Sequence, residues 1–364
     1  KKNSPSLLAV FLTAASALGL AGFIQAQLSP NIVATDTTWS TYGGDLGHTR
    51  HVDLEQINAS NFSSLELAWR FKTDNLGPQP EFNFQSTPLM VNGVIYTTAG
   101  TRRAVTALDA QTGEQLWVYS LQEAEEEMRA SLSPRRLSGR GLSYWTDGEQ
   151  ERLYYVTIGY QLIALDAQTG TPVPSFGLNG KIDLLESLEQ EIDFNKIQIG
   201  YHSPPTIAND VIVVGSAHNA RFRDTLDGIK GYVRAFDVRT GRHLWTFHTT
   251  PESNEYGSDT WLENSAQFAG YASAWTRISA DEELNLAYLP IESPYSDYYG
   301  GRRPGNNLFG ESIVAVDLTT GERQWHYQTS HHPLWDYDIP AAPILFDIEK
   351  DGVTIKALAQ PTKQ

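Results

Sequence analysis

The chain has no cysteine. That excludes a disulfide framework, a thiolate metal site and a Cys-x-x-Cys-His haem attachment within these residues. Positive charge is also scarce. Lys and Arg number 27 against 43 Asp and Glu, a formal net charge of −16. Such a surface repels phosphate backbones and anionic lipid, so neither nucleic acid nor an anionic membrane surface is an expected partner. No Gly-rich phosphate loop, His-Glu-x-x-His or Gly-x-Ser-x-Gly element occurs, which leaves nucleotide binding, zinc proteolysis and serine hydrolysis without support.

One long apolar stretch, Leu7 to Ile24, stands before Trp39 and follows Lys1-Lys2. It predicts an export signal over residues 1–27, with Ile24-Gln25-Ala26 as the cleavage site, and hence a periplasmic location. The alternative is an uncleaved anchor to the inner membrane, since the stretch is near the lower length for a span. Residues 28–38 read as a linker, and the repeat pattern is still running at Gln364, so a fragment is expected.

What the chain does have is a repeated phrase. Ala107-Leu108-Asp109-Ala110-Gln111-Thr112-Gly113 leads to Trp117, and Ala164-Leu165-Asp166-Ala167-Gln168-Thr169-Gly170 leads to Phe176. Ala235-Phe236-Asp237-Val238-Arg239-Thr240-Gly241 leads to Trp245, and Ala315-Val316-Asp317-Leu318-Thr319-Thr320-Gly321 to Trp325. Each reads as strand, tight turn, strand. Asp and Thr bond neighbouring backbone and Gly supplies positive φ. The Asp residues lie 57, 71 and 80 positions apart. A regular solenoid would not drift so, whereas propeller blades keep a four-stranded core while loops on one face lengthen. The repeated Asp and Trp are therefore scaffold. The 29 Gly, 18 Pro and an aromatic set of 9 Trp, 17 Tyr and 14 Phe suit an all-β chain with a large core.

The acidic run 123–127 is expected as a solvated helical turn, 181–198 as a short helix and 249–268 as a long loop. All three fall on the loop face, where a propeller builds its site. Two local constellations stand out. His331-His332-Pro333-Leu334-Trp335-Asp336-Tyr337-Asp338 follows a repeat's closing strand, and suits either a metal or general-base site or a polar loop with an anchoring Trp. Arg140 lies between Gly139 and Gly141, which permits close approach of a carboxylate ligand to its planar fork, or simply a surface turn. His48, His51, His243, His248 and His326 read as ordinary surface or satisfied positions. Lys363 carries no signal of its own.

With these motifs the chain resembles the quinoprotein dehydrogenases that use pyrroloquinoline quinone, closest to the membrane-type glucose dehydrogenase branch. The resemblance runs from about Trp39 to the end. It rests on the Trp-docking repeats, Ser86-Thr87-Pro88-Leu89, Arg140-Gly141-Leu142-Ser143-Tyr144, Ser203-Pro204-Pro205, Ala287-Tyr288-Leu289-Pro290 and the His331–Pro340 element. It implies an eight-bladed β-propeller, about half of it over residues 39–364. It also implies Asp336 as catalytic base and metal contact, with Asp338 as a further metal position and Asn219 as a metal or cofactor ligand. Arg140 would bind a cofactor carboxylate, Trp275 would form the floor under the quinone, Lys363 would contact the quinone oxygens, and Gln85 and Ser203 would complete the cofactor contacts. The implied metal is Ca²⁺, with Mg²⁺ or a lanthanide as alternatives.

The implied reaction is oxidation of an alcohol or aldose hydroxyl, with electrons passed to ubiquinone or cytochrome c. Departures are present. A vicinal disulfide on the cofactor is impossible without Cys, Pro333 replaces an acidic residue, a metal-binding Glu is replaced around His218-Asn219, a metal-binding Asn falls at about Ser293, and the branch's multi-helix anchor is missing. The rival reading is a non-catalytic propeller scaffold of the outer-membrane assembly type. A third is a dehydrogenase that binds cofactor without turnover.

Overall fold

The repeated phrase folds into antiparallel meanders. The computed structural model describes residues 38–77, 81–121, 133–134, 137–193, 197–220 and 229–364. The expected export segment, residues 28–37 of the expected linker and the acidic run 123–127 lie outside them. The first sheet joins β1 (Leu89–Val91), β2 (Val94–Ala99), β3 (Ala104–Asp109) and β4 (Gln115–Tyr119) in that order. The second joins β5 (Ser143–Thr146), β6 (Glu151–Val156), β7 (Gln161–Asp166) and β8 (Lys181–Asp183). A ribbon then pairs β9 (Ile197–Gly200) with β12 (Ala217–Ala220), around a third sheet of β10 (Thr206–Ala208), β11 (Val211–Val214), β13 (Val233–Asp237) and β14 (His243–Phe247). The fourth sheet is β15 (Ser279–Asp281), β16 (Leu286–Pro290), β17 (Ser312–Asp317) and β18 (Arg323–Gln328). A hairpin of β19 (Ile344–Lys350) and β20 (Val353–Ala359) follows. The described residues thus form four blades and the start of a fifth.

Strand alternation stacks the blades. In β6, Leu153 and Tyr155 join the apolar cluster shared with the first sheet, while Tyr154 and Val156 join the one shared with the third. In β11, Ile212 and Val214 face the second sheet, and Val211 and Val213 face the fourth. Middle strands buried on both faces read as continuous apolar runs, as in Val211-Ile-Val-Val214, with every residue buried. The fourth strands are the outer ones and stay half exposed.

The turns show why the phrase repeats. Asp109 Oδ1 accepts from the N–H groups of Gln111 and Thr112 and from the Thr112 hydroxyl, at 2.7–3.0 Å. Asp166, Asp237 and Asp317 do the same in their own turns. Hydrogen bonds from Thr112 hold the Asp109 carboxyl below its ordinary value. The glycine that follows adopts φ of +70° to +75°, and in three of the four turns it presents a bare surface to an indole from earlier in the chain. Trp69, Trp117 and Trp245 lie on Gly113, Gly170 and Gly321. Their Nε1 groups donate to the carbonyls of Ala110, Ala167 and Leu318 at 3.2, 3.1 and 2.8 Å.

The second blade departs from this scheme. Phe176 lies ahead of the closing strand β8, fully buried, and Ile182 covers Gly241 instead. The helix expected over 181–198 is absent among its described residues. Lys181–Asp183 is strand, residues 184–187 are turn and 197 onward is strand again. The apolar residues that looked helical (Leu184, Leu185, Leu188, Ile192) pack on the cluster between the second and third sheets. The loop 249–268 is as expected, with short 3-10 turns at Ser258–Thr260 and Leu262–Gln267.

A meander places the first-to-second and third-to-fourth turns at one end and the other connections at the opposite end. The Asp-Thr-Gly turns therefore mark one end. Arg140, Ser203, Trp275, Asp336 and Lys363 all fall on connections at the other. A strip over 39–47 ties distant sheets together. Trp39 exchanges backbone hydrogen bonds with Met90, Leu46 O accepts from Ala280 N, and Gly47 O accepts from Leu345 N, at 2.8–3.0 Å.

Candidate functional site

Two groups of side chains form on the loop end. The first is built around Arg140, buried on the connection between the first and second sheets. Its backbone is clamped on both sides, its N–H donating to His202 O (2.8 Å) and its carbonyl accepting from Thr87 N (3.1 Å). The guanidinium carbon lies 5.3 Å from the centre of the half-buried Trp275 ring. Arg140 Nη1 reaches Ser203 Oγ at 3.5 Å, and Ser203 Oγ donates to Trp275 O at 3.1 Å. Gly141 is required here, since its φ is +127° and a Cβ would meet Thr87 O at 3.0 Å. The result is a buried cation beside a flat aromatic face.

The second group centres on Asp336 and Asp338. Asp336 sits at φ +54°, an uncommon conformation for a residue with a side chain. Its neighbours fix it there. Lys363 Nζ donates to Asp336 O at 2.7 Å, and the next amide, Tyr337 N, donates to Glu311 Oε1 at 3.0 Å. Buried Arg303 donates to Pro333 O on this loop and to Ser296 O (3.0 Å) on the facing loop. Lys363 Nζ also pairs with Asp338 Oδ2 at 3.2 Å and lies 3.7 Å from Asp336 Oδ2. Burial pulls the Lys363 ammonium down, but the charges of Asp338 and Asp336 outweigh it and hold it above its ordinary value.

Behind them lies a half-buried acid that sequence reading did not single out. Glu292 accepts from Ser273 N at 3.1 Å, and Ser293 N donates to Asp338 Oδ1 at 3.0 Å. Burial first, and the Asp338 charge second, push Glu292 well above the usual carboxylate range. Burial and then Asp336 push Asp338 to about 6, against the Ser293 amide and Lys363. These carboxyls lie where their charges are unfavourable, the environment a cation would relieve. The only advance signal for Glu292 was an acid directly after the apolar run Leu286–Ile291.

The 271–276 segment links the groups. Trp275 carries the first, and Ser273 carries Glu292 on its N–H and His218 Nδ1 on its Oγ (2.7 Å). His218 also stacks on Tyr271, with ring centres 5.5 Å apart, and its Nε2 is buried with no partner among the described residues. Burial, then the Arg234 charge, lowers His218 to about 3, so it is a neutral donor or acceptor. Asn219, the expected metal position, does not join these residues. It is exposed and its amide donates to Gln198 Oε1 at 3.3 Å, because neighbouring strand residues point to opposite faces and His218 takes the inward one. Gln85 is also exposed, beside a buried Ser86 that bonds Thr97 and Thr98. Arg140, Ser203 and Trp275 are thus together, as are Asp336, Asp338 and Lys363, while Asn219 and Gln85 stand apart.

Among the described residues no group of three or more His, Asp or Glu is spaced to hold a metal ion. The fit to a cation therefore rests on a carboxylate pair, Asp338 and Glu292, and on the orphaned Nε2 nearby. A cleft of about 1690 Å³ opens among the turns at the opposite end, and none of the expected site residues lines it.

A family model described as "PQQ: Glucose/ethanol/alcohol dehydrogenase, beta-propeller domain" matches residues 39–364. The quinate/shikimate dehydrogenase (quinone) of Acinetobacter baylyi is 33% identical over 347 residues, covering 89% of this chain and 41% of that protein. The quinoprotein glucose dehydrogenase of Escherichia coli is 32% identical, covering 90% of this chain and 41% of its own length. The crystal structure of a quinohemoprotein alcohol dehydrogenase from Pseudomonas putida superposes with a TM-score of 0.72 at 29% identity, over 90% of this chain and 45% of that one. The chain thus spans less than half the length of these relatives.

Proposed function

The chain belongs to the family of pyrroloquinoline quinone-dependent glucose, ethanol and alcohol dehydrogenases, and on that premise we propose that the full protein oxidises an alcohol, polyol or sugar hydroxyl with Asp336 as general base. When bound, the quinone supplies the acceptor for the hydride. Arg140, buried and already oriented by Ser203, would hold an anionic edge of that group, and Trp275 would support its ring. Asp336 accepts the substrate's hydroxyl proton. Lys363 keeps that carboxylate in place and presents a cation to the developing negative charge. Asp338 and Glu292 would hold a divalent cation of the Ca²⁺ class, to which carboxylate oxygens are suited. Asp336 remains a candidate third ligand. Asn219 would serve only if its strand turned over.

One observation carries this reading. A buried guanidinium is held against an indole at the same end of the propeller as an Asp-Asp-Lys cluster. Electrons would leave to a respiratory acceptor, a quinone or cytochrome c. The N-terminal apolar stretch would place the protein in the periplasm. No helix among the described residues is long and apolar enough to cross a membrane.

The test is reconstitution of the full-length protein with pyrroloquinoline quinone and Ca²⁺. Dye reduction is then followed with a panel of alcohols, cyclic polyols and aldoses. Cofactor-dependent absorbance with turnover is expected. Asp336→Asn should keep the absorbance and lose roughly 10²-fold or more in kcat. No absorbance at all would return the chain to a scaffold, and absorbance without turnover on any substrate would make it an inactive binder.

A further inference from the structure

Asp336 offers two carboxylate oxygens, and the structure treats them differently. Oδ2 accepts a hydrogen bond from the Tyr298 hydroxyl at 3.2 Å and lies 3.7 Å from Lys363 Nζ. Oδ1 has no hydrogen-bond partner among the described residues. Tyr298 comes from the long loop between β16 and β17, a different element from the one that carries Asp336. The two loops are held in register by Arg303. It lies fully buried between them and donates to Ser296 O on the Tyr298 side and to Pro333 O on the Asp336 side. Asn307 completes the clamp, accepting from Arg303 Nη1 at 2.9 Å and donating to Arg303 O at 2.8 Å.

The Tyr298 ring stacks on no other ring among the described residues. It is 70% exposed, as is Trp335 beside Asp336. A residue kept for the core would be buried; this one stands in solvent with only its hydroxyl engaged. A phenol whose one polar atom points at a half-exposed carboxylate oxygen fixes the rotation of that carboxylate about its Cβ–Cγ bond. An ordered carboxylate matters to proton transfer, because a misplacement of about 1 Å at a reacting group can cost roughly 10²-fold in rate.

We propose that Tyr298 is a positioning residue for the base: its hydroxyl anchors Oδ2 of Asp336 and leaves Oδ1 as the oxygen that receives the substrate proton. This rests on the reading of Asp336 as general base. The proton moves from the substrate hydroxyl to Oδ1, and Tyr298 keeps its own proton throughout. Lys363 shares the anchor, which is why the carboxylate is held from one side only.

Tyr298→Phe in the reconstituted full-length protein removes the hydroxyl and nothing else, and a ring this exposed can lose it without disturbing the fold. The expected result is a kcat lowered between about 10- and 100-fold, with KM within about twofold and cofactor absorbance unchanged. A crystal structure of the variant should show the Asp336 carboxylate rotated or in two orientations, where the wild type has one. An unchanged kcat, a loss confined to KM, or a carboxylate in the same single orientation would each overturn the proposal. The orientation readout is independent of turnover. If Asp336→Asn retains full activity while Tyr298→Phe still frees the carboxylate, it is the base assignment that fails, and the anchoring stands.

Discussion

Tyr154 donates its hydroxyl to the carbonyl of Val238 at 2.6 Å, the place in the turn that elsewhere receives an indole N–H from the preceding blade. The second blade has no closing Trp; Ile182 of its closing strand covers the next turn's glycine, and the hydrogen bond comes from its second strand instead. Phe176 fills the space beneath, edge-on to Tyr154 with ring centres 5.5 Å apart. Tyr154→Phe should therefore destabilise the protein by about 1 kcal/mol, read as a lower urea midpoint with an unchanged slope.

Two glycines in the same left-handed conformation should respond differently to alanine. Gly113 (φ +73°) has the Trp69 ring where a Cβ would stand, at 2.5 Å, whereas Gly352 (φ +76°) faces open space. Gly352→Ala should cost only the backbone term of about 1–2 kcal/mol. Gly113→Ala adds overpacking of roughly 1–3 kcal/mol. Denaturant titration of both variants checks the difference, and equal losses would remove the docking argument.

Stability should fall through His248 as pH rises above its unfolded value. Its ring bridges Glu255 (2.8 Å) and Glu189 (2.9 Å), on two different connections of the loop end. Burial pulls its pKa down, but the two carboxylates outweigh that and raise it above the ordinary 6.5. A group raised on folding stabilises fully below its unfolded pKa and loses that contribution as pH rises through the folded value. The urea midpoint of wild type should therefore decline from about pH 6.5 upward, and His248→Gln should flatten that decline.

Arg140→Lys tests whether the planar fork matters or only its charge. A lysine keeps the cation but loses the geometry that pairs with a carboxylate and lies along the Trp275 ring. Cofactor affinity should drop about 10- to 100-fold, the equivalent of roughly 1.5–3 kcal/mol, while thermal stability without cofactor changes little. Equilibrium titration with pyrroloquinoline quinone measures it.

The repeated phrase made the propeller legible because its chemistry is local. Asp, Thr and Gly close a turn by themselves, and the Trp marks the neighbouring blade. The position of the Asp336 element was legible because it follows a repeat's closing strand, Arg140 stood out by its flanking glycines, and Trp275 and Lys363 were marked by the family resemblance alone. Which side chains turn inward was not legible. His218 and Asn219 are adjacent, and only the register of β12 against β9 decides between them. Glu292 carried no motif; its significance comes from Asp338, which approaches it from far along the chain. The short helix expected over 181–198 gives way to strand and turn because its apolar residues pack on the cluster between the second and third sheets.

The backbone strip from Trp39 to Gly47 gives this architecture a thermodynamic character its repeats alone would not. A linear array of similar units frays from its ends, one unit at a time. Here one short peptide hydrogen-bonds to the opening sheet, to the fourth and to the hairpin beyond it, acting as a spoke rather than a rim. Loosening any one of those sectors loosens the anchorage of the others, so the blades should melt together in one transition.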